Sequence, residues 1–137
     1  MKIPGLRSSY EKVGGIVFFG RMLDKMRLHA QDKLPPDYNL GKGLDARCTR
    51  FLKVEYKAVV ERTLQGGTDE EILDWCFKNG WHPGEEDVLV WNAFMTKRGW
   101  RDDASARLEE DKIKRGFAKR DDLQTYFDFH LADEAED

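Results

Sequence analysis

Cys48 is the side chain whose sequence neighbours most favour chemistry. It lies between Arg47 and Arg50 and three residues after Asp45, which is a good N-cap residue for a helix. A helix N-terminus and two flanking cations stabilise a thiolate, although the Asp45 carboxylate opposes them. A catalytic thiolate would also need a base such as His29. Because structural cysteines are commonly buried and unreactive, we favour a structural Cys48 over a reactive one.

A second candidate site surrounds Arg27. Spacing along a helix places Arg27 at the edge of an apolar stripe, with Asp24 one turn earlier. A partly buried arginine is rarely left unpaired, so an Asp24–Arg27 ion pair is the favoured interpretation. The alternative is recognition of a small anion by Arg27, because buried arginine also binds carboxylate and phosphate. The residues predicted to bind this anionic ligand are Arg27, His29, Arg47, Cys48 and Arg50.

Residues 15–22, GIVFFGRM, have two glycines in the spacing of a phosphate-binding loop. Such a loop needs a lysine and a hydroxyl after the second glycine, where this chain has Arg21 and Met22. The residues between the glycines are all apolar and continue a helical stripe. We therefore predict a buried helix, in which Gly20 lets another helix approach closely, and no nucleotide site.

Metal and nucleic-acid sites are not expected. No two cysteines or histidines have ligand spacing such as C-x-x-C, so we predict no metal and no cofactor. Residues 68–98 resemble a helix–turn–helix, but its second helix opens with Glu85, Glu86 and Asp87. These acids would lie against DNA phosphates, so an ordinary helix hairpin is favoured and nucleic-acid binding is unlikely.

Composition indicates one compact domain with a charged exterior. Of the 137 residues, 40% are hydrophobic and 36% are charged. This length predicts a single helical domain over residues 1–137, with residues 1–8 and 132–137 flexible. Two cysteines 28 positions apart indicate a reduced, cytoplasmic protein. There is no run of about 18 apolar residues, so no membrane span is predicted.

Basic and acidic residues are distributed unevenly. Residues 1–62 contain 13 Lys/Arg and 7 Asp/Glu, a net charge of +6, whereas residues 63–137 contain 10 and 19, a net charge of −9. A basic half could bind an acidic partner. We favour the alternative that the two halves pack together, because sequence halves of one small domain rarely form separate surfaces.

The elements that position these residues are all predicted to be helices. Apolar residues recur at spacings of three and four from Ile16 to Ala30, which predicts a helix that begins between Ser9 and Val13 and ends near Lys33. Other helices are predicted over about residues 45–52, 55–65, 69–78, 85–98, 104–115 and 122–131. No segment alternates with period two for long enough to predict a strand. The fold class is therefore all-α, a single irregular bundle of about six helices.

Four phrases of the sequence resemble one protein family. They are LRSSYEKVGGIVFFGRMLDKMRLHAQDKLPPDY, LDARCTRFLKVEY, GGTDEEILDWCF and VWNAFMTKRGWRD. Together they resemble a bacterial family of domains of unknown function, number 5069, over about residues 6–130. The resemblance implies a bacterial, cytoplasmic protein that stands alone, and it implies no activity, cofactor or catalytic residue.

The leading functional hypothesis is a non-enzymatic binding or interaction protein with a small anionic ligand near Arg27. The alternative is an enzyme that acts on a small anionic substrate with Cys48 as nucleophile or His29 as base. A nucleic-acid binder is the third hypothesis. A homo-oligomer is compatible with each of them, and the charged helix over residues 104–115 is a candidate partner surface.

Overall fold

A computed structural model describes residues 1–135 of the chain. This part contains seven α-helices and one antiparallel pair of short strands, so the protein is predominantly helical as predicted. In chain order the elements are β1 (Lys12–Val13), β2 (Ile16–Val17), α1 (Phe19–Ala30), α2 (Leu44–Leu52), α3 (Tyr56–Leu64), α4 (Asp69–Asn79), α5 (Glu85–Lys97), α6 (Ser105–Lys114) and α7 (Tyr126–Ala135). None of these seven helices has the length and apolarity that crossing a membrane requires.

A tight β-hairpin occupies the place where the sequence predicted the start of the first helix. Gly14 and Gly15 have φ angles of 57° and 80°, which suits a two-residue turn whose central residues both need positive φ. Val13 pairs with Ile16 across this turn. Phe18 then adopts a left-handed conformation, with φ 73°, and α1 begins after it. The predicted helix start between residues 9 and 13 and the predicted absence of strands were therefore wrong.

Gly20 makes room for the N-terminal part of the chain rather than for another helix. A Cβ atom at this position would lie 2.9 Å from Cζ of Arg7 and 3.1 Å from a methyl group of Val13. Both contacts are closer than ordinary packing permits. The glycine is therefore needed where β1 and the segment before it cross α1, which corrects the predicted helix–helix approach.

The main hydrophobic core is built around α1, whose Met22, Leu23 and Met26 are buried. Every helix except α6 contributes to this core. The buried contributors from the other helices are Cys48, Leu52, Val59, Ile72, Leu73, Cys76, Trp91, Met95 and Phe127. A smaller cluster of Leu108, Phe117, Leu123 and Phe129 joins α6 to α7.

Helix ends follow the predictions in part. The predicted helix over residues 69–78 is present as α4, and a capping box opens it, because Thr68 and Glu71 each accept a backbone N–H from the other. Asp45, however, is not the N-cap of α2, which begins at Leu44 after Gly43. Asp45 is fully buried instead, because its carboxylate pairs with a lysine of α1.

The two termini contact the rest of the chain. Ile3 is buried, and Arg7 forms ion pairs with α1 and α4. At the other end, α7 extends to Ala135, beyond the helix end predicted at residue 131. Residues 132–135 of the segment that was predicted to be flexible are thus helical, while residues 136–137 lie outside the described residues.

Candidate functional site

Arg27 lies in a network of four charged side chains. Its Nη2 is 2.7 Å from Oδ1 of Asp69, and its Nη1 is 3.4 Å from Oδ1 of Asp24. Arg7 contacts the same two carboxylates, at 2.8 Å from Asp24 and 2.7 Å from Asp69. Burial alone would raise the pKa of Asp69, but the two arginines hold it below its ordinary value. The predicted Asp24–Arg27 pair is present, and the four formal charges of the network cancel.

An open groove of about 320 Å³ adjoins this network. The groove is lined by Pro4, Gly5, Asp24, Arg27, Leu28, Gln31 and Lys33, so the Asp24 carboxylate lies beside the two cations. Lys33 is exposed and makes no side-chain ion pair with the described residues. The groove therefore offers two cations to a small ligand. Arg27 is already paired with Asp24 and Asp69, whereas Lys33 has no ion pair within residues 1–135.

The other predicted anion-binding residues form no side-chain hydrogen bond or ion pair with Arg27 among residues 1–135. His29 and Arg50 are exposed. Arg47 is also exposed, and its guanidinium group lies 5.5 Å from the centre of the Phe94 ring of α5. The enzymatic use of His29 as a base stays a prediction, which a pH–rate measurement would test.

Cys48 is buried in the core, which agrees with the favoured structural interpretation rather than with a reactive thiolate. Burial raises the pKa of its thiol well above the ordinary value, and the nearby Asp45 carboxylate acts in the same direction. Arg47 and Arg50 point to solvent and do not offset this effect. Burial likewise raises the pKa of Cys76 to about 12. This environment therefore favours a structural Cys48 over a nucleophilic one.

A buried ion pair lies beside Cys48. Nζ of Lys25 is 2.7 Å from Oδ1 of Asp45, and it also donates a hydrogen bond to the Asn39 carbonyl at 2.9 Å. Burial lowers the pKa of Lys25 and raises that of Asp45, because both groups have lost most of their contact with water. The pair attaches α2 and the loop before it to α1.

A second buried cation of α1 is paired with the last helix. Both terminal nitrogens of Arg21 donate to the Glu134 carboxylate, each at 2.6 Å, and the Tyr38 hydroxyl donates to the same carboxylate at 2.9 Å. Arg21 is 3% exposed, so this two-point contact replaces its hydration. The sequence interpretation noted Arg21 only after the second glycine of residues 15–22 and gave no signal for a partner 113 residues away.

Ser9 and His130 form a contact that the sequence did not indicate. The Ser9 hydroxyl is 2.7 Å from Nδ1 of His130, and Ser9 is buried. Burial of the ring, together with the cations Arg21 and Lys25, lowers the pKa of His130 well below its ordinary value. A nucleophile needs access and a base oriented by an acid, whereas the charged groups that act on His130 are cations. We therefore assign the pair a structural role at the wall of a groove of about 500 Å³ between the N-terminal segment and α7.

The α5 helix presents apolar side chains to solvent. Leu89 is 62% exposed, Val90 is 59% exposed and Phe94 is 39% exposed. Ala93 is exposed between them. We call these four residues the α5 face. The opposite side of the helix, which includes Trp91, is buried in the core. A helix that is apolar on both sides has a second surface suited to a packing partner.

Charges of opposite sign lie at the two ends of the α5 face. Glu86 is exposed in the first turn, and Lys97 is exposed in the last turn. The guanidinium groups of Arg47 and Arg98 each lie 5.5 Å from the centre of the Phe94 ring and add positive charge at the C-terminal end. The face therefore has an acidic end and a basic end.

The sequence interpretation missed the α5 face, although a signal is present. Residues 88–91 read VLVW, and four consecutive apolar residues must point in directions that surround a helix. Such a run cannot be buried on one side only. The predicted partner surface over residues 104–115 corresponds to α6, whose one strongly exposed apolar side chain among the described residues is Ile113.

The fold and this surface together define a small helical protein with one exposed apolar helix face. Its sequence matches the family described as domain of unknown function DUF5069 over residues 3–136. The chain belongs to this family, which confirms the resemblance seen in the four sequence phrases. A comparison with curated proteins gave no significant match.

Proposed function

We propose that the protein is a non-enzymatic interaction protein, and that its α5 face binds an amphipathic helix of a protein partner. The observation that supports this proposal is the exposure of Leu89, Val90 and Phe94 on a helix whose other side is already buried in the core. Small soluble domains rarely leave a contiguous apolar row on one helix uncovered, and larger apolar patches mark interaction sites.

The chemistry of the face specifies the partner. A row of side chains at i, i+1, i+4 and i+5 suits an apolar helix stripe laid along α5. The acidic end at Glu86 favours a basic residue of the partner, and the basic end at Lys97 favours an acidic one. The partner helix would therefore bind in one orientation along α5.

Photocrosslinking from the face tests this proposal. p-Benzoyl-L-phenylalanine would replace Leu89 in one variant and Ile113 in a control, because Ile113 is 63% exposed on a different helix. Irradiation of cells that express each variant should give one discrete adduct from position 89 and none from position 113. Peptide mapping should place the adduct on a helix with an apolar stripe, and Phe94→Asp should abolish it. No adduct from position 89, or equal adducts from both positions, would contradict the proposal.

The groove beside Arg27 supports a second candidate function, the binding of a small anion. Its lining brings Gln31 and the exposed Lys33, which has no ion pair within residues 1–135, next to Arg27. Titration calorimetry with inorganic phosphate would measure this binding. Lys33→Gln should weaken it at least fivefold without disturbing the Arg27 network, whereas Lys42→Gln in the following loop should not change it. An identical affinity in the two variants, or no heat with the wild type, would reject this function.

A further inference from the structure

We infer, on the basis of the proposed function, that the helix bound to the α5 face is α5 of a second copy of this chain. The two helices run antiparallel and are related by a two-fold axis. A homodimer is thereby formed through one helix from each copy, and the same four apolar side chains are contributed twice.

The residues of the face are arranged symmetrically along α5. Val90 and Ala93 lie one and a half residues to either side of a common midpoint, and Leu89 and Phe94 lie two and a half residues from it. At about 100° per residue, Val90 and Ala93 point about 30° to either side of the midline of the face, and Leu89 and Phe94 about 70°. An antiparallel copy therefore sets Val90 against Ala93 in the middle of the contact, with the two Leu89 side chains along one edge and the two Phe94 side chains along the other.

The charged ends of the face obey the same symmetry. Glu86 and Lys97 are equally distant from the midpoint, and both point within about 10° of the midline. Neither side chain has an ion pair or side-chain hydrogen bond with the rest of the described chain. An antiparallel copy brings Glu86 of each chain to Lys97 of the other, so the dimer gains two such pairs. A parallel copy would instead set like charges together.

This charge complementarity is what selects a second copy as the partner. The helix dipole favours acids in the first turn and bases in the last, but it does not require them to lie on the midline of an exposed apolar row. Glu86 and Lys97 do lie there, and the apolar residues between them fit their own reversed order. A foreign helix would need to reproduce this pattern, whereas a second α5 has it already.

The size of the contact predicts a weak dimer. α5 has 13 residues and is about 20 Å long, so a single pair of such helices covers less than the roughly 800 Å² per partner of a standard interface. Trp100, which is partly exposed after the C-terminal end of α5, can extend the contact. We expect dissociation in the micromolar range, with exchange of chains between dimers.

Charge exchange between two variants tests the inference. Sedimentation equilibrium over the micromolar range should show a monomer–dimer equilibrium for the purified wild type. Glu86→Lys sets lysine against lysine at both ends of the dimer, and Lys97→Glu sets glutamate against glutamate. Each should weaken dimerisation at least tenfold. An equimolar mixture of the two variants should recover dimers, because the mixed pair has opposite charges at both ends.

Two controls match these substitutions in helix position. Glu70 is the second residue of α4, as Glu86 is of α5, and Lys114 is the last residue of α6, as Lys97 is of α5. Glu70→Lys and Lys114→Glu should therefore have the same effect on the helix dipole and leave dimerisation unchanged. Circular dichroism of all four variants should show the helix content of the wild type.

Three outcomes would overturn the inference: a wild type that is monomeric throughout the series, a dimer that neither α5 variant weakens, or a mixture that recovers no dimers. A monomeric wild type that still gives the adduct from position 89, with a chain of different mass, would leave the proposed function standing and reject the second copy. Absence of both the dimer and the adduct would reject the homodimer and the proposed function of the α5 face together.

Discussion

His130 gives folding stability a pH dependence at the scale of one residue. Its pKa lies well below the ordinary 6.5 in the folded protein, because the ring is buried near Arg21 and Lys25. Above pH 6.5 the imidazole is neutral in both states. As the pH falls below 6.5, the unfolded chain binds a proton that the folded protein does not, so the free energy of unfolding should decrease by up to ~1.4 kcal/mol per pH unit.

Urea unfolding between pH 7 and about pH 5, above the range where most carboxyl groups titrate, would measure this slope. His130→Gln should reduce it, because glutamine cannot take up a proton and still offers a partner to Ser9. His29→Gln is the control, since His29 is exposed and should leave the slope unchanged. Equal slopes in the wild type and the His130→Gln variant would show that His130 is not the source.

Cys48 should be inert towards alkylation in the folded protein. Its thiol is fully buried and its pKa is well above the ordinary value, so little thiolate forms and reagent has no access. Iodoacetamide at pH 7 should modify it at least ~100-fold more slowly than a free thiol, and urea should restore the ordinary rate. Peptide mass spectrometry would follow the modification, and fast modification of the folded protein would contradict this burial.

Residue-scale predictions succeeded where the determining contact is local. Asp24 and Arg27 are three residues apart on one helix, so their ion pair follows from spacing. The stronger contact of Arg27, with Asp69, spans 42 positions and depends on how α1 packs on α4. Cys48 is buried, as its favoured structural interpretation expects. Its sequence neighbours are cations, but its spatial neighbours are the core residues that the fold brings to it.

At the scale of one element, the hairpin before α1 depends on its two glycines. Single substitutions can compare how much each glycine contributes to stability. Both have positive φ, so alanine at either position costs about 1 kcal/mol of backbone strain. At Gly14 a Cβ would also lie 2.5 Å from a methyl group of the buried Leu73, whereas at Gly15 no atom lies within 4 Å. Gly14→Ala should therefore lower the free energy of unfolding by ~2–3 kcal/mol and Gly15→Ala by ~1 kcal/mol. Equal losses in urea unfolding would show that Leu73 does not restrict the turn.

Element boundaries were predictable only where the backbone carries a local signal. The capping box of Thr68 and Glu71 marks the start of α4 without reference to the rest of the chain. Residues 16–19 are four consecutive apolar residues, all buried, and such a run fits a buried strand as well as a helix. Trp81 follows the last turn of α4, and its indole donates to the Phe51 carbonyl of α2. That contact is tertiary, and no spacing within α4 indicates it.

At the scale of the whole molecule, ion pairs connect the basic and acidic halves of the chain. Arg7 and Arg27 reach Asp69, and Arg21 reaches Glu134. The favoured interpretation, that the two halves pack together, is confirmed by these contacts. The predominantly helical class was predictable from periodicity. The ion pairs between residues far apart in the sequence were not predictable, because they depend on which helices pack together.

Glu134 should contribute far more to stability than an exposed carboxylate does. Glu134→Gln leaves the buried Arg21 without a countercharge and should lower the free energy of unfolding by ~3 kcal/mol. Asp37→Asn, in an exposed pair with Arg115, should change it by less than ~0.5 kcal/mol. Urea unfolding at pH 7 would compare the two, and losses of similar size would show that the Arg21 contact is not worth more than a surface pair.

The pairing of Arg21 with Glu134 also affects how the protein can fold during synthesis. The two residues are 113 positions apart, and Ser9 and His130 are 121 apart, so α1 and the hairpin reach these partners only after α7 has been translated. Until then, packing α1 in its native position would bury the Arg21 guanidinium group without a carboxylate partner. We therefore expect the nascent chain to stay open while it leaves the ribosome and α7 to complete the fold in a late, cooperative step.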